Sequence, residues 1–440
     1  MSIHSTPSQP SGLKSTRRSL LKASAVAGAG LAMGLSLGRS VHAAGSDILK
    51  VALIGCGGRG SGAAVNALSA DKGARLTCMA DAFADKIAPS LAQIKAARPD
   101  HVDVKDNQCF VGFDAYKQAI ASGVDVVVLA LPSHFHCIHL KAAVEAGKHV
   151  FVEKPHAVDP VGVRMIGEAC DLAQKKNLSV VSGLCWRYDH GVRETMKRVH
   201  DGAIGDVVAV RTSYMNDFSW TRPRKPEYTE MEYQMRNWYN FCWLSGDLPG
   251  LTLVHSLDKG SWALGDKPPE RAWGLGGRQV RTGPEYGDVY DHHALVFEYA
   301  NGVRMFAFVR QQTGCFADVS DHIIGTKGRA NVLAHRIEGE QKWHYSGPKP
   351  SMYDVEHQEL FAAIRAGKPI NNGNYMATST MLAVLGRMVA YSGASIAWEE
   401  AMKSPLSLTP ARYAFDADPP IKPDKDGRYP IAMPGITRFS

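Results

Sequence analysis

Two short stretches hold residues whose types and spacing could do chemistry. In the first, Val51-Ala-Leu-Ile-Gly-Cys-Gly-Gly-Arg-Gly60, an apolar run passes into Gly55-x-Gly57-x-x-Gly60, with Gly58 and Arg59 inside the loop. Such a run predicts a strand, a tight turn and a helix start, where bare backbone N–H groups and the helix dipole receive a pyrophosphate. In the second, Glu153-Lys154-Pro155 follows the apolar His149–Val152. This puts the ammonium of Lys154 at the carboxyl end of a strand, where open α/β sheets bind ligands. A partly desolvated lysine beside an oxidised nicotinamide has a lowered pKa, which suits it to take a hydroxyl proton as hydride leaves the carbon. Glu153 is placed to pair with that lysine or with the ring amide. Asp81 closes the second apolar run, at the spacing where a carboxylate accepts from adenosine ribose hydroxyls and repels a 2′-phosphate, so NAD is favoured over NADP. The plainer reading is that Asp81 caps the next helix. Arg59 complicates the choice, since it could pair with a phosphate instead.

Other candidates are single residues. His255 and Asp258 lie at i and i+3 of an expected helix and so share a face; on residue type alone, a core histidine bonded to Asp258 is the simpler reading. Arg187 follows a strand in Cys185-Trp186-Arg187-Tyr188 and could hold a substrate oxygen, as could His292 in Tyr290-Asp291-His292-His293. His134 and His136 follow the apolar run Val124–Leu131; one is expected to line the nicotinamide pocket and the other to pack. No His-Glu-x-x-His or Cys/His set is present, so no catalytic metal is expected.

The elements that must position these groups fall into two patterns. From Leu49 to Phe151, apolar runs (49–54, 75–80, 109–111, 124–131, 149–152) alternate with helical spacings (60–68, 84–97, 116–121, 139–146), which predicts a doubly wound parallel sheet. After a helix at 161–176, a strand at 179–183 and a helix at 190–200, strand-like stretches at 207–214, 294–299, 304–309 and 321–324 predict a mostly antiparallel sheet flanked by helices. The fold class is therefore α/β, a Rossmann domain over 45–168 followed by an α+β domain over 169–440. The aromatic, polar segment 216–244 reads as a long loop that shapes the substrate pocket.

Residues 1–44 read as a removable export signal: Thr16-Arg17-Arg18-Ser19-Leu20-Leu21-Lys22, an apolar stretch from Ala23 to Leu37, then Val41-His42-Ala43-Ala44. The apolar stretch falls short of the roughly twenty residues a spanning helix needs, so no membrane anchor is expected after cleavage. A twin-arginine route carries folded proteins and predicts a periplasmic destination with the cofactor already loaded. The formal charge of +7 is mostly this segment's, and nucleic acid is not implied. The eight cysteines show no metal spacing and read as buried thiols with no need of disulfides.

These residues resemble the Gfo/Idh/MocA oxidoreductases, the glucose-fructose oxidoreductase and inositol dehydrogenase family, over roughly Ile48 to Leu408. The glycine loop, Leu131-Pro132-Ser133-His134-Phe135-His136, Glu153-Lys154-Pro155 and His255-x-x-Asp258 carry the likeness. It implies a nicotinamide cofactor held by the glycine loop, Leu131, Pro132, Ser133 and His136, and a carbohydrate or cyclitol substrate. It also implies Lys154 as catalytic base, His255 and Asp258 at the reacting hydroxyl, and a homodimer or homotetramer. One departure stands out: many relatives carry an acid four residues before the histidine, and here that position is Leu251. Either Asp247 supplies the acid or proton transfer rests on Lys154 and His255. The preferred activity is an exported dehydrogenase that keeps its cofactor through turnover. The alternatives are a redox-neutral, NAD-using glycosidase or lyase, and a sugar-binding protein that reuses the fold.

Overall fold

The computed structural model describes residues 47–218 and 220–439, so the expected export signal lies outside the described residues. The first sheet has six parallel strands, β1 (Leu49–Ile54), β2 (Ala74–Asp81), β3 (Cys109–Val111), β4 (Val126–Leu129), β5 (His149–Val152) and β6 (Val180–Ser182), in the order β3-β2-β1-β4-β5-β6. Helices α1 (Gly58–Ala70), α2 (Ala84–Ala97), α3 (Ala115–Ala121), α4 (His136–Glu145) and α5 (Pro160–Lys175) connect them. β4 is buried along its whole length and β1 is buried except at Lys50, as strands covered on both faces must be. The order reverses between β1 and β4, and this opens a crevice at their carboxyl ends. β6 lies beyond residue 168, so the parallel sheet runs past the boundary drawn from the sequence.

The second half adds α6 (His190–His200), α7 (Glu230–Arg236), α8 (Cys242–Ser245), α9 (Val254–Ala263), α10 (Met352–Ala366), α11 (Gly373–Ser392) and α12 (Trp398–Lys403). Its sheet has nine strands: β7 (Val207–Asn216), β8 (Arg271–Gly277), β9 (His292–Glu298), β10 (Arg304–Gln311), β11 (Asp318–Gly325), β12 (Gly328–Asn331), β13 (Arg336–Gly339), β14 (Trp343–His344) and β15 (Ile396–Ala397). All neighbours are antiparallel except β7 and β10. α9 and α11 cover one face, and their apolar side chains join residues of both sheets in a common core. α10 returns to the first sheet and packs on α1.

The segment 216–244 is less irregular than expected. Thr229 caps α7 by accepting from the Glu232 N–H, and Glu230 and Glu232 sit in the first turn, where the helix dipole favours them. The cysteines are all free, and six of them, including Cys78 and Cys137, are buried. No helix among the described residues is long and apolar enough to cross a membrane.

Candidate active site

At the crevice lies a cavity of about 790 Å³, lined by the glycine loop, Asp81, Leu131, Pro132, Glu153, Lys154 and His255. Each motif glycine has its own reason. Gly55 has φ +96° and a Cβ there would sit 2.3 Å from the Ala130 carbonyl oxygen. At Gly60 a Cβ would sit 1.9 Å from the Gly55 oxygen, so this glycine lets helix and strand pack closely. Gly57 and Gly58 have no neighbour within 4 Å of an added Cβ; their free side borders the cavity. α1 begins there without a side-chain cap, leaving its first N–H groups to an anionic ligand. Asp81 ends β2 on the same rim. It accepts from the Cys56 N–H at 2.7 Å and the Phe83 N–H at 2.9 Å, which braces the glycine turn and leaves further lone pairs toward the cavity. The residues present fit a dinucleotide.

Lys154 stands at the end of β5. Its Nζ donates to the Leu251 carbonyl at 2.7 Å, and burial lowers its pKa against the opposing pull of Glu153. Leu251 thus meets the lysine through its backbone, in a π-helical turn (Pro249–Leu253) that leads directly into α9. Glu153 pairs with neither Lys154 Nζ nor open space. Its Oε1 accepts from Arg59 Nε at 2.5 Å, so the arginine joins the glycine loop to β5. Arg59 also lies 3.8 Å from Glu356 and stacks on Tyr353, both on α10. The Glu356 carboxyl has no hydrogen-bond partner, and burial, with Glu153 adding to it, holds its pKa well above the ordinary range. His255 lines the cavity with a buried, unpartnered Nδ1; burial first, then Lys154 and Lys259, keeps the ring neutral. Lys259, one turn along α9, donates to the His255 carbonyl and pairs with the buried Asp321.

Several expected site residues are engaged elsewhere. Asp258 does not act in the cleft: its carboxylate takes Arg187 in three contacts, 2.8, 3.0 and 3.1 Å, and the Ser379 hydroxyl at 2.8 Å. Arg187 is spent on Asp258 and Asp266 and lies between the Trp262 and Tyr375 rings, so it offers nothing to a substrate. Asp247 is not the spare acid. It is fully buried and accepts from Leu248, Tyr290, His293 and Tyr391. His292 bonds Asp291 and lies outside the cavity lining. Ser133 is buried behind the cavity, with its hydroxyl unpartnered. Neither His134 nor His136 lines the cavity: His134 bonds the Tyr413 hydroxyl, and His136 accepts from Leu131 N–H and donates to the Pro155 carbonyl, tying the β4 loop to the lysine motif. His139, one turn on, is the histidine of this stretch that reaches the cavity, stacked on Tyr116 at 3.9 Å. Among the described residues no group of His, Cys, Asp and Glu could hold a metal ion.

Tyr353 and Glu356 escaped the sequence reading although a signal was present: Ser351 caps α10 by accepting from the Asp354 N–H, in a Ser-x-x-Asp pattern. Gly183 was missed as well; a Cβ there would come 2.9 Å from Glu153 Oε2, so it makes room for that carboxylate. The segment 216–244 does wall the cavity, through Trp220, Arg222, Tyr228 and Trp238 among others.

The Asp258 geometry gives a prediction. Asp258→Ala strips a buried arginine of one partner and should cost about 3 kcal/mol in a urea unfolding titration, while cofactor affinity of the folded protein stays unchanged. Unchanged stability with lost turnover would return Asp258 to the reaction.

Two family models match in succession, one described as the oxidoreductase family with an NAD-binding Rossmann fold, over residues 49–184, and one as the GFO/IDH/MocA C-terminal domain, over residues 192–331. The chain belongs to the Gfo/Idh/MocA family. A protein of Solibacter usitatus named glycosyl hydrolase family 109 protein is 28% identical over 218 residues, 46% of this chain and 47% of that protein. Inositol 2-dehydrogenase 3 of Saccharopolyspora erythraea is 30% identical over 214 residues, 48% of this chain and 55% of that protein. The chain thus spans about half the length of these curated relatives. The crystal structure of aldose-aldose oxidoreductase from Caulobacter crescentus shares the fold, with a TM-score of 0.62 at 18% identity over 80% of this chain and 99% of that one.

Proposed function

We propose that the chain is an NAD-dependent oxidoreductase acting on a hydroxyl-bearing carbon of a sugar, cyclitol or glycoside. The observation that carries this reading is the placing of Lys154 and His255 on the cavity that the open backbone of Gly57 and Gly58 also borders. NAD+, when bound, supplies the hydride acceptor. In its neutral form Lys154 donates to the Leu251 carbonyl and keeps its lone pair for the substrate hydroxyl proton. A neutral His255 holds the same oxygen by a hydrogen bond. Trp220 and Trp238 give the cavity an aromatic wall of the kind that packs on sugar C–H faces.

NAD is favoured over NADP on two grounds: Asp81 stands where a 2′-phosphate would come, and Arg59 is taken up by Glu153. Asp81→Ala should weaken NAD by about tenfold or more, the worth of a charge-assisted hydrogen bond, and NADP by much less. Equal losses in a fluorescence titration would reduce Asp81 to a brace for the glycine turn.

The name of the Solibacter relative favours a second reading, a glycosidase that oxidises and re-reduces its sugar. Mixing NAD-loaded protein with a panel of sugars, cyclitols and glycosides separates the two. A lasting reduced-nicotinamide absorbance supports the dehydrogenase; glycoside cleavage without it supports the glycosidase.

The proposal includes export through the twin-arginine segment with cofactor in place, and a homodimer or homotetramer. The outer face of the second sheet supports the latter. Trp273, Leu275, Phe306 and Ile324 are 44, 63, 36 and 42% exposed, and the pairing of β8, β9 and β10 puts Trp273, Val296 and Phe306 on one side. Leu275→Glu should shift the sedimentation coefficient toward the monomer; a wild-type monomer would remove the oligomer from the account.

A further inference from the structure

The chain after α12 has no counterpart in the matched family models, which end at residue 331. Pro405, Pro410, Pro419, Pro420, Pro423, Pro430 and Pro434 recur along it, and prolines of this density lower the entropy lost in fixing an extended segment. Yet its path is held by specific contacts. The Leu408 N–H donates to Asp159 at 2.8 Å, Tyr413 bonds His134 at 2.7 Å, the Phe415 carbonyl accepts from the Thr229 hydroxyl, and the Ile421 carbonyl accepts from Gln234 at 2.8 Å. Farther on, Tyr429 packs edge-on against Phe241 and donates to Glu230 at 2.6 Å.

The place where this segment meets the cavity wall gives it a role. The Phe415 ring lies 5.2 Å from Phe83 and 4.8 Å from Phe113, and Tyr413 lies 5.6 Å from Phe135. Phe83, Phe113 and Phe135 line the cavity, whereas Tyr413 and Phe415 stand behind them. Phe83 follows Asp81 by two residues and its N–H is bonded to that carboxylate, so this wall belongs to the adenosine end. From the other side Arg236 of α7 stacks on Phe83 at 4.0 Å and pairs with Asp85 at 3.0 Å. Phe83 is thus held by an arginine on one contact and by the C-terminal segment on another.

We infer that residues 405–439 form a strap that fixes the aromatic wall of the adenosine end, with Tyr413 and Phe415 as positioning residues that set how fast the cofactor leaves without touching the reacting atoms. This rests on the reading of the cavity as a dinucleotide site. It gives the chain its own means of retaining cofactor through turnover, as the proposed export would require.

The test loads the full-length protein with NAD, removes free cofactor by rapid desalting, and follows the fraction still bound against time for wild type, Phe415→Ala and Phe415→Leu. Ring loss in Phe415→Ala should speed release by about tenfold or more, from two aromatic contacts removed, and Phe415→Leu, which keeps apolar volume, should fall between. Turnover at saturating NAD should stay within about twofold of wild type, because the strap lies outside the reacting groups. If Phe415→Ala unfolds, Phe415→Leu with a wild-type melting temperature still decides the matter. Equal release rates in folded variants overturn the strap while leaving the dinucleotide site standing. A wild type that binds no NAD overturns both.

Discussion

Lys154→Met is expected to lower turnover by about 10²- to 10⁴-fold, the usual worth of a positioned general base, with NAD affinity unchanged to within about twofold. The lysine reaches the cavity two residues past the end of β5, and among the described residues its Nζ donates to the Leu251 carbonyl and to no carboxylate that would lock it in the charged form. Burial, the largest influence, lowers its pKa from the ordinary 10.5. The sign of the pH dependence follows. The working form is the free amine, so turnover should be low in acid, rise as pH climbs through an apparent pKa below 10.5, and level off above it. His255 should add no second limb in the neutral range, because burial holds it uncharged throughout. Lys154→Met should erase the rising limb together with the rate. A variant that keeps its turnover, or the limb, removes the lysine from the proton transfer.

The second large effect separates two glycines of one motif. Gly60→Ala forces a methyl to within 1.9 Å of the Gly55 oxygen, a backbone atom that cannot turn aside, and should cost about 2–4 kcal/mol of stability. In Gly57→Val the added Cβ meets nothing within 4 Å, at a residue whose φ of −79° and ψ of 178° any amino acid adopts. The variant's melting temperature should therefore match wild type. Its branched side chain, however, stands over the uncapped N-terminus of α1, and NAD affinity should fall by about a hundredfold, some 2.7 kcal/mol. Calorimetric melting and NAD titration of the two variants give the comparison. A Gly57→Val protein that binds NAD normally would mean that the pyrophosphate does not rest on this turn.

How much of this was legible in the sequence depends on the range of the interactions involved. The parallel sheet was, because short, mainly apolar runs alternate with helical spacings and the glycine loop follows the first of those runs at once. Lys154, Asp81 and the glycine loop reach the cavity because strand ends dictate it. Asp258, Arg187 and Asp247 were misassigned because their partners lie far along the chain. Asp258 faced one way with His255 by helical spacing, but Arg187, from the other side of the fold, claims its carboxylate. Asp247 was a spare acid on paper until Tyr290, His293 and Tyr391 closed on it. α11 gave no amphipathic period because almost all of it is buried, and a helix apolar on every side hides from that test. Glu356 and Tyr353 enter the site only because α10 returns to pack on α1, a topological fact that no local pattern encodes.

In the proposed reaction hydride passes from a substrate carbon to a nicotinamide held in this cavity. The most direct measurement uses a substrate found in the panel assay and prepared with deuterium on the hydroxyl-bearing carbon, followed by mass analysis of the cofactor recovered from the protein. Deuterium is expected in the reduced nicotinamide from the wild type, and from Lys154→Met with NAD still bound it should arrive slower by about 10²- to 10⁴-fold. Reduced cofactor without the label, or substrate consumed with the cofactor unchanged and unlabelled throughout, would contradict this transfer.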